Sequence, residues 1–169
     1  MEIRDASRSD ANSIAVLAVA IWIDTYASDG ITDEFSQYVV NELTPEKIEA
    51  EITDEASRVI VAEQDGHLIG FAIMSSDSRC PCDLAQTIEL KTLYVHQRFR
   101  RQGVGSRLLQ EIETLCRNQG GDRLWLSVWE PNRVAKGFYE NSGYRSLGVT
   151  HFDLDGTEKH ENLVLGKTL

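Results

Sequence analysis

The fold is decided by the stretch Leu93-Tyr94-Val95-His96-Gln97-Arg98-Phe99-Arg100-Arg101-Gln102-Gly103-Val104-Gly105-Ser106, which joins a predicted strand to a predicted helix. Backbone N–H groups at a helix N-terminus have no partner within the helix, and together with the helix dipole they bind phosphate well. Gly103 and Gly105 remove side chains where a diphosphate would approach the backbone. The stretch therefore predicts an anion-binding turn, and the alternative interpretation is a glycine-rich turn with solvated arginines.

Two other phosphate-binding motifs are excluded by single positions at the end of this stretch and directly after it. A dinucleotide-binding fingerprint requires a third glycine where this chain has Leu108. A nucleoside-triphosphate loop requires Gly-Lys-Ser/Thr, whereas Gly105 is followed by Ser106 and Arg107. What remains is Arg100-x-x-Gly103-x-Gly105 directly after a strand.

The flanking segments predict the rest of the fold. Apolar residues from Ile14 to Trp22 recur at helical spacing, and Thr44-Pro45 provides a capping hydroxyl followed by a proline that suits the first turn of a helix. Asp65-Gly66 and Asp155-Gly156 are typical of tight hairpin turns. The predicted element order is β-ααα-βββ-α-β-α-ββ. It indicates a single α/β domain over residues 1–169 with a mixed sheet of about seven strands.

The charge is unevenly distributed along the chain. The 169 residues include 17 basic and 27 acidic side chains, for a formal net charge of −10. Residues 1–84 hold 5 basic and 17 acidic side chains, a net of −12, and residues 85–169 hold 12 basic and 10 acidic, a net of +2. An acidic chain of this kind argues against a general nucleic-acid binder. The N-terminal half repels anions, and the C-terminal half tolerates them.

The sequence indicates a cytoplasmic protein with no membrane segment and no metal. The longest apolar run, Ile14 to Ile23, is half the length of a membrane span, and the N-terminus lacks the pattern of a signal peptide. Three cysteines provide no disulfide framework. Cys80 and Cys82 have no further Cys or His close in sequence to complete a zinc site.

A second motif makes the family recognisable. The segment from Asn132 to Tyr144, Asn-Arg-Val-Ala-Lys-Gly-Phe-Tyr-Glu-Asn-Ser-Gly-Tyr, is similar to the signature Asn-x-x-Ala-x-x-Phe-Tyr-x-x-x-Gly-Phe/Tyr of the GNAT acetyltransferases. The glycine turn resembles the pyrophosphate-binding motif of the same family, which uses acetyl-CoA. The resemblance implies the GNAT acyl-CoA N-acyltransferase fold, with helices on both faces of the sheet. Within the family, the C-terminal half is similar to bacterial spermidine/spermine N-acetyltransferases of the Pai type.

The resemblance also implies a set of cofactor-binding residues. The family leaves a gap between the strands that end at Val95 and Val128, where the pantetheine arm lies like an added strand. Backbone groups of Leu93 and Val95 would pair with that arm, and a backbone N–H near Tyr94 would polarise the thioester oxygen. Asn132 would bond to the pantetheine, its alternative role being a helix N-cap. The pyrophosphate would lie against Arg100, Arg101, Gln102, Gly103, Val104, Gly105 and Ser106.

The family reaction is direct attack of an amine on the thioester in a ternary complex. Tyr139 matches the position of the general acid that protonates the leaving thiolate, and the alternative is a core aromatic residue. Glu89 matches the general base of some members, and the alternative is a solvated carboxylate on a strand. The base could instead be Glu130, a chain of water molecules, or no specific group.

The acidic N-terminal half would face the acceptor, which the charge indicates is a cationic small-molecule amine. Trp22, Asp24 and Tyr26, near the end of the first helix, would line a slot of polyamine size. The open alternatives are an aminoglycoside, an amino acid or a protein amine as acceptor, ordinary surface charge on these helices, and a non-catalytic acetyl-CoA-binding regulatory module. A homodimer is expected by analogy with other members.

Overall fold

The computed structural model describes residues 1–27, 29–83, 85, 87–153 and 159–169. The strands are β1 (Glu2–Asp5), β2 (Ser57–Gln64), β3 (His67–Ser75), β4 (Glu89–Val95), β5 (Arg123–Trp129), β6 (Arg145–Asp153) and β7 (Lys159–Thr168). The helices are α1 (Ala11–Tyr26), α2 (Asp33–Glu42), α3 (Pro45–Thr53), α4 (Val104–Asn118) and α5 (Arg133–Asn141). This order along the chain confirms the order predicted from the sequence.

Hydrogen bonding orders the strands β1-β2-β3-β4-β5-β7-β6 in a seven-stranded sheet. β4 and β5 run parallel, whereas β1 and β2, β5 and β7, and β6 and β7 run antiparallel. The predicted mixed sheet is therefore confirmed.

The strand registers differ in regularity. Among the described residues, the parallel register of β4 and β5 consists of one Cα pair, Glu89 with Trp125. β5 and β7 pair continuously along β5. β6 and β7 pair with a register shift between Ser146 and Gly148, which is a bulge in β6.

The chain divides into two compact units. The first unit is Met1–Ile73 with Thr92–Gln110, and the second unit is Met74–Lys91 with Glu111–Leu169. The single domain expected over residues 1–169 stays a prediction.

The core of the first unit forms around α1. Its residues Ile14, Leu17, Ala18, Ile21 and Trp22 are all buried, as the helical spacing predicts. The cluster that includes most of this face also contains a residue of α3 and residues of β2 and β3: Ile48, Val59, Val61, Phe71 and Ile73. Burial of this apolar stripe fixes which side of α1 faces inward.

The core of the second unit includes a buried charge. Glu113 is 7% exposed, and its carboxylate accepts hydrogen bonds from the Tyr144 hydroxyl at 3.2 Å and from Lys167 Nζ at 2.8 Å. A buried carboxylate is tolerated only when it is paired in this way. Burial, reinforced by Glu113, raises the pKa of Tyr144 far above its usual range.

The turn and cap predictions can be checked at individual residues. Asp65 and Gly66 have φ of 53° and 77°, which are the positive values that a tight primed hairpin requires. The Thr44 hydroxyl accepts a hydrogen bond from the N–H of Lys47 at 3.4 Å, which confirms the start of α3. The predicted turn at Asp155-Gly156 lies outside the described residues.

Candidate active site

The glycine turn lies in the first unit and joins β4 to α4. The His96 N–H donates to the Ile69 carbonyl at 2.9 Å, and the His96 ring nitrogen Nδ1 caps the short 3-10 turn that follows. Arg101 and Gly103 then take left-handed backbone angles, with φ of 60° and 82°. The chain enters α4 at Val104, so the first N–H groups of that helix have no partner within the helix. Arg101, Gln102, Gly103 and Ser106 are exposed, which is the arrangement expected for an anion-binding turn.

Gly70 of β3 allows this strand to pack closely against β4 and α4, the two elements that the turn joins. A Cβ atom at this position would lie 2.8 Å from the backbone oxygen of Tyr94 and 3.3 Å from Cδ1 of Leu108. Only glycine fits that approach without displacing β4 or α4. Sequence analysis missed this residue, although a glycine within a predicted strand is itself a signal of close backbone approach.

Arg100 contacts a residue that the sequence placed at a different site. Its Nη2 lies 3.0 Å from Oδ2 of Asp24, and its Nε donates to the backbone oxygen of Val95 at 3.4 Å. The sequence assigned Arg100 to the cofactor and Asp24 to the acceptor. The structure brings the two side chains together.

Trp22 lies at the centre of an aromatic cluster formed with Tyr26, Phe35 and Tyr38. Trp22 is 5% exposed, and its ring stacks on that of Tyr38 with the ring centroids 5.0 Å apart. The centroid of its ring lies 5.0 Å from that of Tyr26 and 5.2 Å from that of Phe35. Burial raises the pKa of the Tyr26 hydroxyl, and its hydrogen bond with Tyr94 acts in the opposite direction. Of the three predicted acceptor residues, Trp22 is thus part of the packed core, and Tyr26 is half-buried beside it.

The acidic side chains of the N-terminal helices differ in their surroundings. Besides Asp24, ion pairs engage Glu42 with Lys47 and Glu49 with Arg8, the latter at 3.5 Å. Others are exposed to solvent: Asp29, Asp33 and Glu46. Cations already offset part of the negative charge noted in the sequence.

In the second unit, α5 carries Tyr139, which was predicted as the general acid. Tyr139 is 8% exposed, and its ring centroid lies 5.1 Å from that of Phe138 and 5.7 Å from that of Tyr144. Asn132 precedes the helix and accepts a hydrogen bond from the N–H of Ala135 at 3.0 Å. The capping role weighed for Asn132 is confirmed, and its side-chain NH₂ group retains donors for a second partner.

The two candidate bases have different environments. Glu89 begins β4 and is half-buried, and its Oε2 accepts a hydrogen bond from the Ser78 hydroxyl. The Ser78 carbonyl in turn accepts from the indole Nε1 of Trp125 at 3.0 Å. Glu130 is 47% exposed and forms an ion pair with Lys136 at 2.7 Å. Ser78 was not identified from the sequence, because it lies in a loop without a periodic pattern.

The cysteine pair that the sequence singled out has structural contacts in the second unit. Cys80 is buried with Trp125 and Val164, and the Cys82 thiol lies 3.8 Å from the Val149 carbonyl. In the portion of the chain that the structure covers, no three or more His, Cys, Asp or Glu side chains group into a possible metal site. Within the same residues, no helix combines the length and the hydropathy needed to cross a membrane.

Sequence comparison identifies the family. Residues 22–144 match the Acetyltransferase (GNAT) family, a span that covers most of the chain. An uncharacterized N-acetyltransferase of Lactobacillus delbrueckii subsp. lactis is 24% identical over 170 residues, covering 100% of this chain and 98% of that protein. The spermidine N(1)-acetyltransferase of Thermoplasma acidophilum is 25% identical over 166 residues, covering 96% and 99%.

Structural comparison agrees with this result. The crystal structure of the PaiA N-acetyltransferase from Thermoplasma acidophilum in complex with coenzyme A superposes with a TM-score of 0.78 at 24% identity, covering 99% of this chain and 98% of that one. An aminoglycoside 6′-acetyltransferase structure gives a TM-score of 0.71 at 20% identity, covering 99% and 97%. Because both identities are below 25%, these similarities establish the fold alone.

The chain belongs to the GNAT acetyltransferase family, and the fold implied by its two motifs is confirmed. It is an acetyl-CoA-dependent N-acetyltransferase. The residues that bind the cofactor, the amine that accepts the acetyl group, the homodimer and the cytoplasmic location stay predictions.

Proposed function

We propose that the protein acetylates a primary amine of a small polycation, with spermidine and spermine as the preferred acceptors. The observation that carries this proposal is the similarity to a spermidine N(1)-acetyltransferase over 96% of this chain and 99% of that protein. The net charge of −12 in residues 1–84 supports it, because an acidic surface attracts a polycation and raises its local concentration.

In this proposal, the turn after β4 binds the pyrophosphate of acetyl-CoA through backbone N–H groups. Two observations support this assignment for residues 101–106. Arg101 and Gly103 have left-handed backbone angles, and the start of α4 is exposed. Backbone groups of Leu93 and Val95 pair with the pantetheine amides, and the N–H near Tyr94 stabilises the oxyanion of the thioester. The Asn132 side-chain NH₂ donates to the pantetheine while its oxygen caps α5.

Glu89 takes a proton from the ammonium form of the acceptor. The free amine attacks the thioester carbonyl carbon, a C–N bond forms and the C–S bond breaks, and the nitrogen then releases its second proton to solvent to give the neutral amide. The hydrogen bond from Ser78 supports the role of Glu89, because it orients the carboxylate. Glu130 is a weaker candidate, since its carboxylate already pairs with Lys136.

Tyr139 donates its phenolic proton to the departing thiolate of coenzyme A. Its position in the second family motif and its burial support this assignment, because a proton held in a site that excludes water transfers to the thiolate rather than to solvent.

A panel of amines tests the proposal. Turnover of acetyl-CoA is measured with spermidine, spermine, an aminoglycoside, free amino acids and a peptide with a free amino group. We expect the highest kcat/KM with a polyamine and a decrease in that value with rising salt, because an acidic surface attracts a polycation less strongly when it is screened. Turnover confined to another amine would overturn the polyamine assignment, and acetyl-CoA binding without any turnover would indicate a regulatory module.

A further inference from the structure

The side chain of Arg100 fastens the start of the glycine turn to two other elements of the first unit. Its guanidinium contacts Asp24 of α1 at 3.0 Å and the backbone oxygen of Val95, the last residue of β4, at 3.4 Å. Its own N–H donates to the Gln97 carbonyl at 3.2 Å. Arg100 is thus held by both its side chain and its backbone.

The next residue, Arg101, has a backbone conformation that requires stabilising contacts around it. Arg101 has a φ of 60°, a left-handed conformation that is unfavourable for a residue with a Cβ atom. Such conformations persist only where the surrounding contacts determine them. Because Arg100 precedes Arg101 directly, its contacts with Asp24 and Val95 limit the alternative paths open to the turn.

We propose that Asp24 is a positioning residue for acetyl-CoA: it holds Arg100 against the end of β4 and so keeps the N–H groups of residues 101–106 arranged for the pyrophosphate. This inference rests on the cofactor site of the proposed function. It separates Asp24 from the acceptor and gives Arg100 an indirect role, because its guanidinium is engaged by protein oxygens.

The direction in which coenzyme A affinity changes when Asp24 is neutralised distinguishes a positioning role from a simple charge effect. Asp24 is a carboxylate near a site for an anion, so on charge alone its neutralisation would strengthen the binding of coenzyme A. If Asp24 positions Arg100, its neutralisation weakens that binding, because the turn then has to be ordered at the expense of binding energy.

The test measures the Kd of coenzyme A by calorimetry, without amine, for the full chain and the variant Asp24→Asn. We expect Asp24→Asn to raise the Kd by about three- to fivefold, the range of a partly exposed ion pair. The matched control is Asp29→Asn, at an exposed carboxylate after α1, and it should stay within about twofold of the wild type. In kinetics, Asp24→Asn should raise the KM for acetyl-CoA and leave the KM for the amine unchanged.

A double-mutant cycle with Arg100→Gln completes the test. Because both single variants break the same contact, Asp24→Asn/Arg100→Gln should bind coenzyme A about as well as either single variant. Additive losses, an unchanged or lower Kd in Asp24→Asn, or an effect on the amine KM alone would each overturn the inference. A wild-type protein that binds no coenzyme A would instead overturn the proposed function.

Discussion

The hydroxyl of Ser78 donates a hydrogen bond to Oε2 of Glu89, across a separation of eleven residues. The Ser78 carbonyl is fixed in turn by the indole of Trp125, which is buried in the second unit. The carboxylate proposed as the general base is therefore oriented by a loop that a core tryptophan anchors. This relationship makes the identity of the base testable.

Replacing Glu89 with Gln should lower kcat/KM by about 100-fold, because the amine loses the group that takes its proton. The Kd of coenzyme A should be unchanged. Steady-state kinetics at saturating acetyl-CoA would measure the loss. The matched control is Glu130→Gln, which removes the carboxylate charge from the ion pair with Lys136. A larger loss in Glu130→Gln than in Glu89→Gln would assign the base to Glu130.

The variant Tyr139→Phe should lower kcat by about 100-fold and leave the KM for acetyl-CoA within about threefold, because only the proton donor is removed. The comparison is Tyr144→Phe, which removes the hydroxyl bonded to buried Glu113. That variant should lower the free energy of unfolding by about 1–2 kcal/mol and affect kcat less. Equal kcat values for wild type and Tyr139→Phe would eliminate the general-acid role.

The Arg4–Asp10 pair predicts a loss of stability in acid. Two hydrogen bonds, at 2.8 and 2.9 Å, join the guanidinium to both oxygens of Asp10, and they hold the pKa of that carboxyl well below its usual range. The charged carboxylate therefore stabilises the fold above about pH 4, and this contribution is lost as the pH falls further.

Urea unfolding between pH 2 and 7 would measure that loss. The variant Asp10→Asn should lower the free energy of unfolding by about 1 kcal/mol at neutral pH. It should also flatten the acidic limb, the fall in the free energy of unfolding at low pH. Asp5→Asn, at an exposed residue of β1, should leave the limb in place. An acidic limb of the same slope in Asp10→Asn and wild type would contradict the assignment.

Two glycine substitutions should change stability in opposite directions. Gly70→Ala places a Cβ atom 2.8 Å from the backbone oxygen of Tyr94 and should lower the free energy of unfolding by about 1–3 kcal/mol. Gly137 lies within α5 with nothing within 4 Å of a Cβ atom, so Gly137→Ala should stabilise the protein by about 0.5–1 kcal/mol. Thermal unfolding of both variants measures the two signs, and a neutral Gly70→Ala would show that β4 moves away easily.

Local sequence signals were enough to predict the element order and the hairpin turn at Asp65-Gly66. Helical spacing identified the buried face of α1, and Asp65-Gly66 marked a hairpin because few residue pairs accept two positive φ angles. The same spacing could not decide whether Trp22 faces the core or a ligand. Its burial depends on Phe35 and Tyr38, which a separate helix supplies.

Sequence patterns could not predict contacts between residues that are far apart in the sequence. Asp24 and Arg100 are 76 positions apart, and each carries an ordinary surface charge, so neither indicates the other. Ser78 lies in an irregular loop where no periodicity gives the direction of a side chain. The Gly70 signal was present in the sequence but was local to β3, and its partner Tyr94 lies on another strand.

The bulge in β6 bears on how the protein behaves at high concentration. β6 is the last strand in the sheet order, and Leu147 and Val149, on either side of Gly148, are both exposed. A regular edge with apolar side chains would be a template for pairing with strands of other molecules. The register shift between Ser146 and Gly148 interrupts that template. The irregularity thus protects the molecule against intermolecular β-aggregation at this border.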